Sequence, residues 1–210
     1  MRRAPIGVLA SGRGSNLVAI LEAAKDPDYP ASVALVLSDV EDAPALDHAR
    51  RAGVDAVYVP PGARRARISP ESEDRMVEEL RKRDVRLVAL AGFMRILSPR
   101  LLNAFPNRVV NIHPSLLPSF PGLEAQRQAH AYGVRVSGCT THLVDAGIDT
   151  GPILFQTAVP VLEDDTAESV AARILEEEHE LYPRTIAALL THDLVVSGRR
   201  CLFRQKGDPR

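Results

Sequence analysis

Two cysteines, Cys139 and Cys201, are too few to build a disulfide scaffold and point to a reducing cytoplasm. No apolar run approaches the length of a membrane span. Near the N-terminus, Arg2 and Arg3 precede an apolar stretch, but Ile6 to Ala10 is stopped by Gly12-Arg13-Gly14, too soon for a secretory signal. The formal net charge of −1 gives no general attraction to nucleic acid or to an anionic membrane. Repeats and low-complexity linkers are absent. So are several catalytic signatures. His179-Glu180 is not followed by a second His at zinc-binding spacing, there is no G-x-S-x-G elbow, and neither cysteine lies in a nucleophile motif. Metal-dependent and covalent Ser or Cys mechanisms therefore have little support, and direct transfer between two bound substrates fits better.

What is present is an ordinary globular composition, 45% apolar and 25% charged, over 210 residues, enough for one domain with a sizeable core. Strand-like and helix-like segments alternate. Strands are expected at 6–10, 33–37, 56–59, 87–91, 108–112, 136–144 and 153–159, and helices at 15–24, 43–52, 69–83, from Ser98, 122–132 and 166–190, the last one with Pro183 inside it. Ser69-Pro70 and Ser98-Pro99 are helix starts, with Ser as cap and Pro in the first turn. A hairpin is expected at 194–203. The pattern predicts an α/β fold: a single domain over residues 1–203, built on a mostly parallel twisted sheet with helices on both faces, and a disordered tail at 204–210.

Three segments carry chemistry. The first is Ser11-Gly12-Arg13-Gly14-Ser15-Asn16-Leu17, a Gly-rich turn from strand into helix whose free amides suit an anion. It is half of a dinucleotide fingerprint, with Leu17 at the third Gly position and Asp39 a poor ribose-binding acid. Lys followed by Ser or Thr is missing, so the fitting ligand is one phosphate group. The second is Asn111-Ile112-His113-Pro114-Ser115-Leu116-Leu117-Pro118. Strand alternation sets Asn111 and His113 on the same side, two donors able to cradle an oxygen that turns negative during acyl transfer. The third is Gly138–Ile153, where Asp149 lies in a turn constrained by Gly147, Gly151 and Pro152. From there it can approach His113, raise its pKa, and accept a proton through water. A stretch at the end of a central strand, Leu90–Leu97, can sandwich a flat heteroaromatic ring. Each segment also has a plainer reading: a tight turn, a core His satisfied by backbone, a turn Asp, or a buried strand running into a packed loop.

In this order, and together with Glu178-His179-Glu180-Leu181-Tyr182-Pro183, these segments resemble the folate-dependent phosphoribosylglycinamide formyltransferases of purine biosynthesis, over roughly Ile6 to Leu190. The resemblance implies a Rossmann-like formyltransferase fold. It also implies formyl transfer from 10-formyltetrahydrofolate, as co-substrate and without a metal, to the amine of glycinamide ribonucleotide. By the same resemblance Asn111, His113 and Asp149 are catalytic. Gly14, Ser15 and Asn16 hold the substrate phosphate, and Glu178 binds the ribose hydroxyls. Met94, Arg95, Ile96, Leu97, Asn111 and Val144 bind the folate.

Two positions depart from the family pattern. Pro70 stands where the family usually has an Arg, leaving Arg67, Arg64 or Arg65 for the folate's glutamate tail. Glu124 stands where the family often has His. The expected partners are glycinamide ribonucleotide and folate, not nucleic acid or membrane, and the chain is expected to be a monomer or homodimer. The alternatives are a non-enzymatic folate- or nucleotide-binding module, which would not need Asn111, His113 and Asp149 together, and two relatives sharing the core. A formyltetrahydrofolate deformylase would carry an N-terminal regulatory domain. A methionyl-tRNA formyltransferase would carry a basic C-terminal one. The segments before Pro5 and after Leu190 match neither expectation.

Overall fold

A computed structural model describes residues 3–63 and 66–207. Its contacts divide the chain into two compact units, 1–111 and 112–210, and the boundary falls inside a single strand after Asn111. The fold is α/β with a mostly parallel sheet flanked by helices.

In the first unit, β1 (Ala4–Leu9), β2 (Ala31–Ser38), β3 (Asp55–Tyr58), β4 (Leu87–Leu90) and β5 (Val109–His113) lie in the order β3-β2-β1-β4-β5. Every pairing among them is parallel. Both faces of the central strands are covered, which is why Leu87-Val88-Ala89-Leu90 is apolar throughout and wholly buried. From β1 the chain steps one way through α1 (Ser15–Ala23) and α2 (Pro44–Arg51). It then returns and steps the other way through α3 (Pro70–Arg81) and α4 (Pro99–Ala104). Right-handed crossovers accordingly set α1 and α2 on one face and α3 and α4 on the other. Packing of α1 with α2, and of α3 with α4, agrees. The order reverses between β1 and β4, the place where open α/β sheets bind ligands.

Both Ser-Pro signals are used. The Ser69 hydroxyl accepts from the Ser72 amide at 3.2 Å, and the Ser98 hydroxyl from the Arg100 amide at 3.2 Å. The buried Glu73 carboxylate adds a second cap to α4, accepting from the Ser98 amide at 2.8 Å.

In the second unit, β6 (Val136–Leu143) pairs antiparallel with β7 (Ile153–Pro160). β9 (Arg200–Gln205) joins β7 in parallel at Ile153, and β8 (His192–Ser197) closes the hairpin against β9. The long α6 (Ala167–Thr191) packs on β6 and β7, and α5 (Ala125–Tyr132) on α6. The core here is Cys139, Val159, Val170, Ile174 and Leu181. Thr166 caps α6 in a reciprocal box with Ser169, and the helix continues through Pro183.

Most boundaries shift by one or two residues from those expected, and two of the differences have a clear cause. α5 starts at Ala125 rather than Gly122, because Phe120, Gly122 and Glu124 adopt left-handed φ values of 53°, 83° and 56°, which a right-handed helix cannot contain. β9 runs through Arg204 and Gln205, two residues into the segment expected as tail, because cross-strand pairing holds them opposite Asp193 and His192. Residues 208–210 lie outside the described residues.

Candidate active site

The first unit presents two loops at the carboxyl ends of β1 and β4. The β1 loop turns at Gly14, whose φ of +76° suits glycine; a Cβ there would stand 2.9 Å from that of Ala45. Gly14 is also the N-cap of α1 and, having no side chain, contributes no cap bond of its own. Asn16 is buried and Ser15 half-buried.

In the β4 loop, Met94 is 63% exposed, an apolar side chain left at the rim of the strand ends. Ile96 is half-buried and Leu97 buried. Arg95 turns inward: its Nε donates to Asp39 Oδ2 at 2.6 Å. Arg67 is exposed and forms a parallel bridge with Ile96, so its backbone runs beside this loop. Arg64 and Arg65, the other expected contacts for a glutamate tail, lie outside the described residues.

Asn111, half-buried near the end of β5, closes the first unit, its register partner being Leu90. Two residues on, His113 is buried and begins the second unit's site. Its Nδ1 lies 3.3 Å from Asp149 Oδ2, as the sequence predicted, and its Nε2 lies 2.9 Å from the Phe120 carbonyl. Asp149 is held in the left-handed region at φ 53°, and its Oδ2 accepts the Gly122 amide at 2.8 Å.

The other carboxylate oxygen faces a residue the sequence reading missed. His142 Nε2 lies 3.5 Å from Asp149 Oδ1, while its Nδ1 lies 2.9 Å from the Leu143 carbonyl. β6 is buried at seven of its eight positions, so its pattern does not distinguish His142 from a packed core residue. Only the fold of the 144–149 turn brings the carboxylate to it. Val144 is half-buried directly after β6. Glu178 is buried in α6, where its charge helps to raise the thiol of Cys139.

The electrostatics correct one expectation. Burial pushes the His113 pKa below its ordinary value and outweighs the upward pull of the Phe120 carbonyl and of Asp149. Asp149 goes the other way. Burial raises its carboxyl, but the His142 bond, the Gly122 amide and the charge of His113 together hold it below the usual range. The resting pair is thus a carboxylate beside a largely neutral imidazole at neutral pH. Among the described residues no group of three His, Cys, Asp or Glu side chains is placed to hold a metal ion. Nor, among the described residues, is any helix long and apolar enough to cross a membrane.

The sequence from residue 4 to 186 matches the formyl transferase family model. The chain belongs to the formyl transferase family. It is 42% identical to the phosphoribosylglycinamide formyltransferase of Bacillus subtilis (strain 168), across 87% of this chain and 93% of that protein. A solved structure, glycinamide ribonucleotide transformylase 1 from Symbiobacterium toebii, superposes with a TM-score of 0.91 at 51% identity, covering 97% of this chain and 95% of that one. In the trifunctional purine biosynthetic protein adenosine-3 of Drosophila melanogaster, 41% identical, the match spans 93% of this formyl transferase but 14% of the longer protein.

Proposed function

We propose that this formyl transferase moves the formyl group of 10-formyltetrahydrofolate to the amine of glycinamide ribonucleotide, in de novo purine biosynthesis. The products are formylglycinamide ribonucleotide and tetrahydrofolate. The carrying observation is the His113–Asp149 pair, 3.3 Å apart, in a chain spanning nearly the full length of a relative named for this reaction.

The acceptor's amine attacks the formyl carbon, forming a C–N bond and a tetrahedral oxyanion. Asn111 and His113 donate to that oxygen. Both ring nitrogens of His113 face acceptors at rest, so its donor reaches the substrate by exchanging the Phe120 carbonyl for the oxyanion. Negative charge developing there favours uptake of a solvent proton by the ring, giving the imidazolium that burial disfavours in the free protein. Asp149 steadies that cation and takes, through water, the proton the amine loses. The intermediate then collapses with cleavage of the bond from the formyl carbon to the folate nitrogen, which takes up a proton.

The glycine turn into the N-terminus of α1 favours a phosphate dianion, which supports the assignment of Gly14, Ser15 and Asn16 to the ribonucleotide. Exposed Met94 supports a folate surface to which Arg95, Ile96 and Leu97 are also assigned, and the bridge to Ile96 brings Arg67 alongside it. Asn111 and Val144 are assigned to the folate as well. Glu178, buried in α6, is assigned to the ribose hydroxyls. The catalytic domain extends, in this reading, from the N-terminus through the β8–β9 hairpin, and the protein acts in the cytoplasm.

The test is an assay with purified protein and 10-formyltetrahydrofolate, with glycinamide ribonucleotide present or absent. Formation of tetrahydrofolate that depends on the ribonucleotide is the expected result. Equal rates without it would make the protein a deformylase.

A further inference from the structure

At the switch point of the first unit one buried acid joins both substrate loops. Asp39 follows β2, and its side chain is 1% exposed. Its Oδ1 accepts the Ser11 hydroxyl at 2.5 Å, and its Oδ2 accepts Arg95 Nε at 2.6 Å. Ser11 opens the loop assigned to the phosphate, and Arg95 sits in the loop assigned to the folate. Ser11 is bound a second and a third time across the same gap. Its hydroxyl accepts the Met94 amide at 2.8 Å, and its own amide donates to the Gly92 carbonyl at 3.1 Å. The loops leaving β1, β2 and β4 therefore share one hydrogen-bonded knot, with Asp39 buried at its centre.

A buried carboxylate is retained when charge-assisted bonds satisfy it, and such bonds fix geometry more than bonds between neutral groups do. The Arg95 side chain, 21% exposed, is spent on this knot. We infer that Asp39, through Ser11 and Arg95, is a positioning residue that sets both substrate-binding loops at once. The inference rests on the assignment of those two loops made above. It predicts that disturbing one bond of the knot weakens both substrates together, although neither Asp39 nor the Ser11 hydroxyl touches the reacting atoms.

Two variants test it. Asp39→Asn keeps the size and removes the charge, and Ser11→Ala leaves the Asp39–Arg95 pair intact. With both substrates titrated, Asp39→Asn is expected to raise KM for folate and for ribonucleotide by about tenfold each, with kcat within about threefold of wild type. Ser11→Ala is expected to raise both by about threefold. These factors correspond to the loss of roughly one hydrogen bond's worth of positioning.

A second readout needs no substrate. Hydrogen exchange in unliganded Asp39→Asn is expected to speed up both in the peptide covering residues 12–17 and in that covering 92–97, with the helices of the second unit unchanged. Exchange quickened in only one loop, a rise in only one KM, or a fall in kcat with both KM values unchanged would overturn the inference. Failure of the functional reading is separable, since it shows in the wild-type protein alone as absent dependence on ribonucleotide.

Discussion

Asp149→Asn is the sharpest perturbation of this site. The substitution keeps the shape and one acceptor oxygen, so the Gly122 amide, now 2.8 Å from Oδ2, retains a partner. What is lost is the negative charge 3.3 Å from His113 Nδ1. An opposite charge at such a distance shifts a pKa by about 1–3 units, at about 1.4 kcal/mol per unit. The imidazolium that faces the oxyanion is destabilised by that amount. A fall in kcat of about 10- to 1000-fold follows, with the folate KM within about threefold, because the folate surface lies on other residues. His113 is already depressed by burial, and removing an upward contribution lowers it further. The titration in the kcat–pH profile that wild type shows and His113→Ala lacks should thus move down by about 1–3 units. Steady-state kinetics across pH with both substrates saturating measures each quantity.

The same residue has a stability signature. The folded carboxyl of Asp149 titrates below the ordinary range, so its contribution is present above that range and disappears as the pH falls through its lowered folded value. His113 acts in the opposite sense. Depressed in the folded state, it costs stability as the pH drops below about 6.5. Asp149→Asn should therefore flatten the acid limb of stability below about pH 4. Wild-type turnover in Asp149→Asn, or an unmoved His113 titration, would refute the electrostatic account.

Three further outcomes are expected. Gly14→Val should damage use of the ribonucleotide and leave tetrahydrofolate binding by calorimetry within about threefold, since the new side chain meets Ala45 in a left-handed backbone; equal loss of both ligands would mean the loop is only structural. His142→Asn should raise the pKa of Asp149, whose carboxyl it helps to hold down, and lower kcat by about tenfold; an unchanged acid limb of the rate profile would remove His142 from the site. Cys139, buried with its thiol pushed up to about 12, should resist a maleimide at pH 8 until the protein unfolds, whereas half-buried Cys201 labels in the native state; mass spectrometry of the labelled peptides reads both.

Much of this arrangement is written locally. The short all-apolar run Leu87–Leu90, stopped soon after by Gly92, reads as a strand covered on both faces, and Ser-Pro pairs pre-set two helix starts through a hydroxyl cap and a fixed φ. The Gly12–Asn16 turn, and Asn111 with His113 two apart on one strand, are likewise matters of backbone period and glycine conformation. These demand nothing beyond nearest neighbours in the chain.

Tertiary structure decided what depends on distant partners. His142 lies on a strand buried along almost its whole length, so alternation hides it, and it gains meaning only where the turn at φ 53° delivers Asp149. The net direction of the His113 shift needed the burial of the folded site, because desolvation opposes a visible neighbouring charge and wins. Nothing in the sequence links Arg95 with Asp39; the sheet order, which sets β1, β2 and β4 side by side, pairs them across 56 positions. A sequence names which groups can donate, accept or ionise. Which of them meet, and how far from water, is fixed by packing between segments that no local pattern connects.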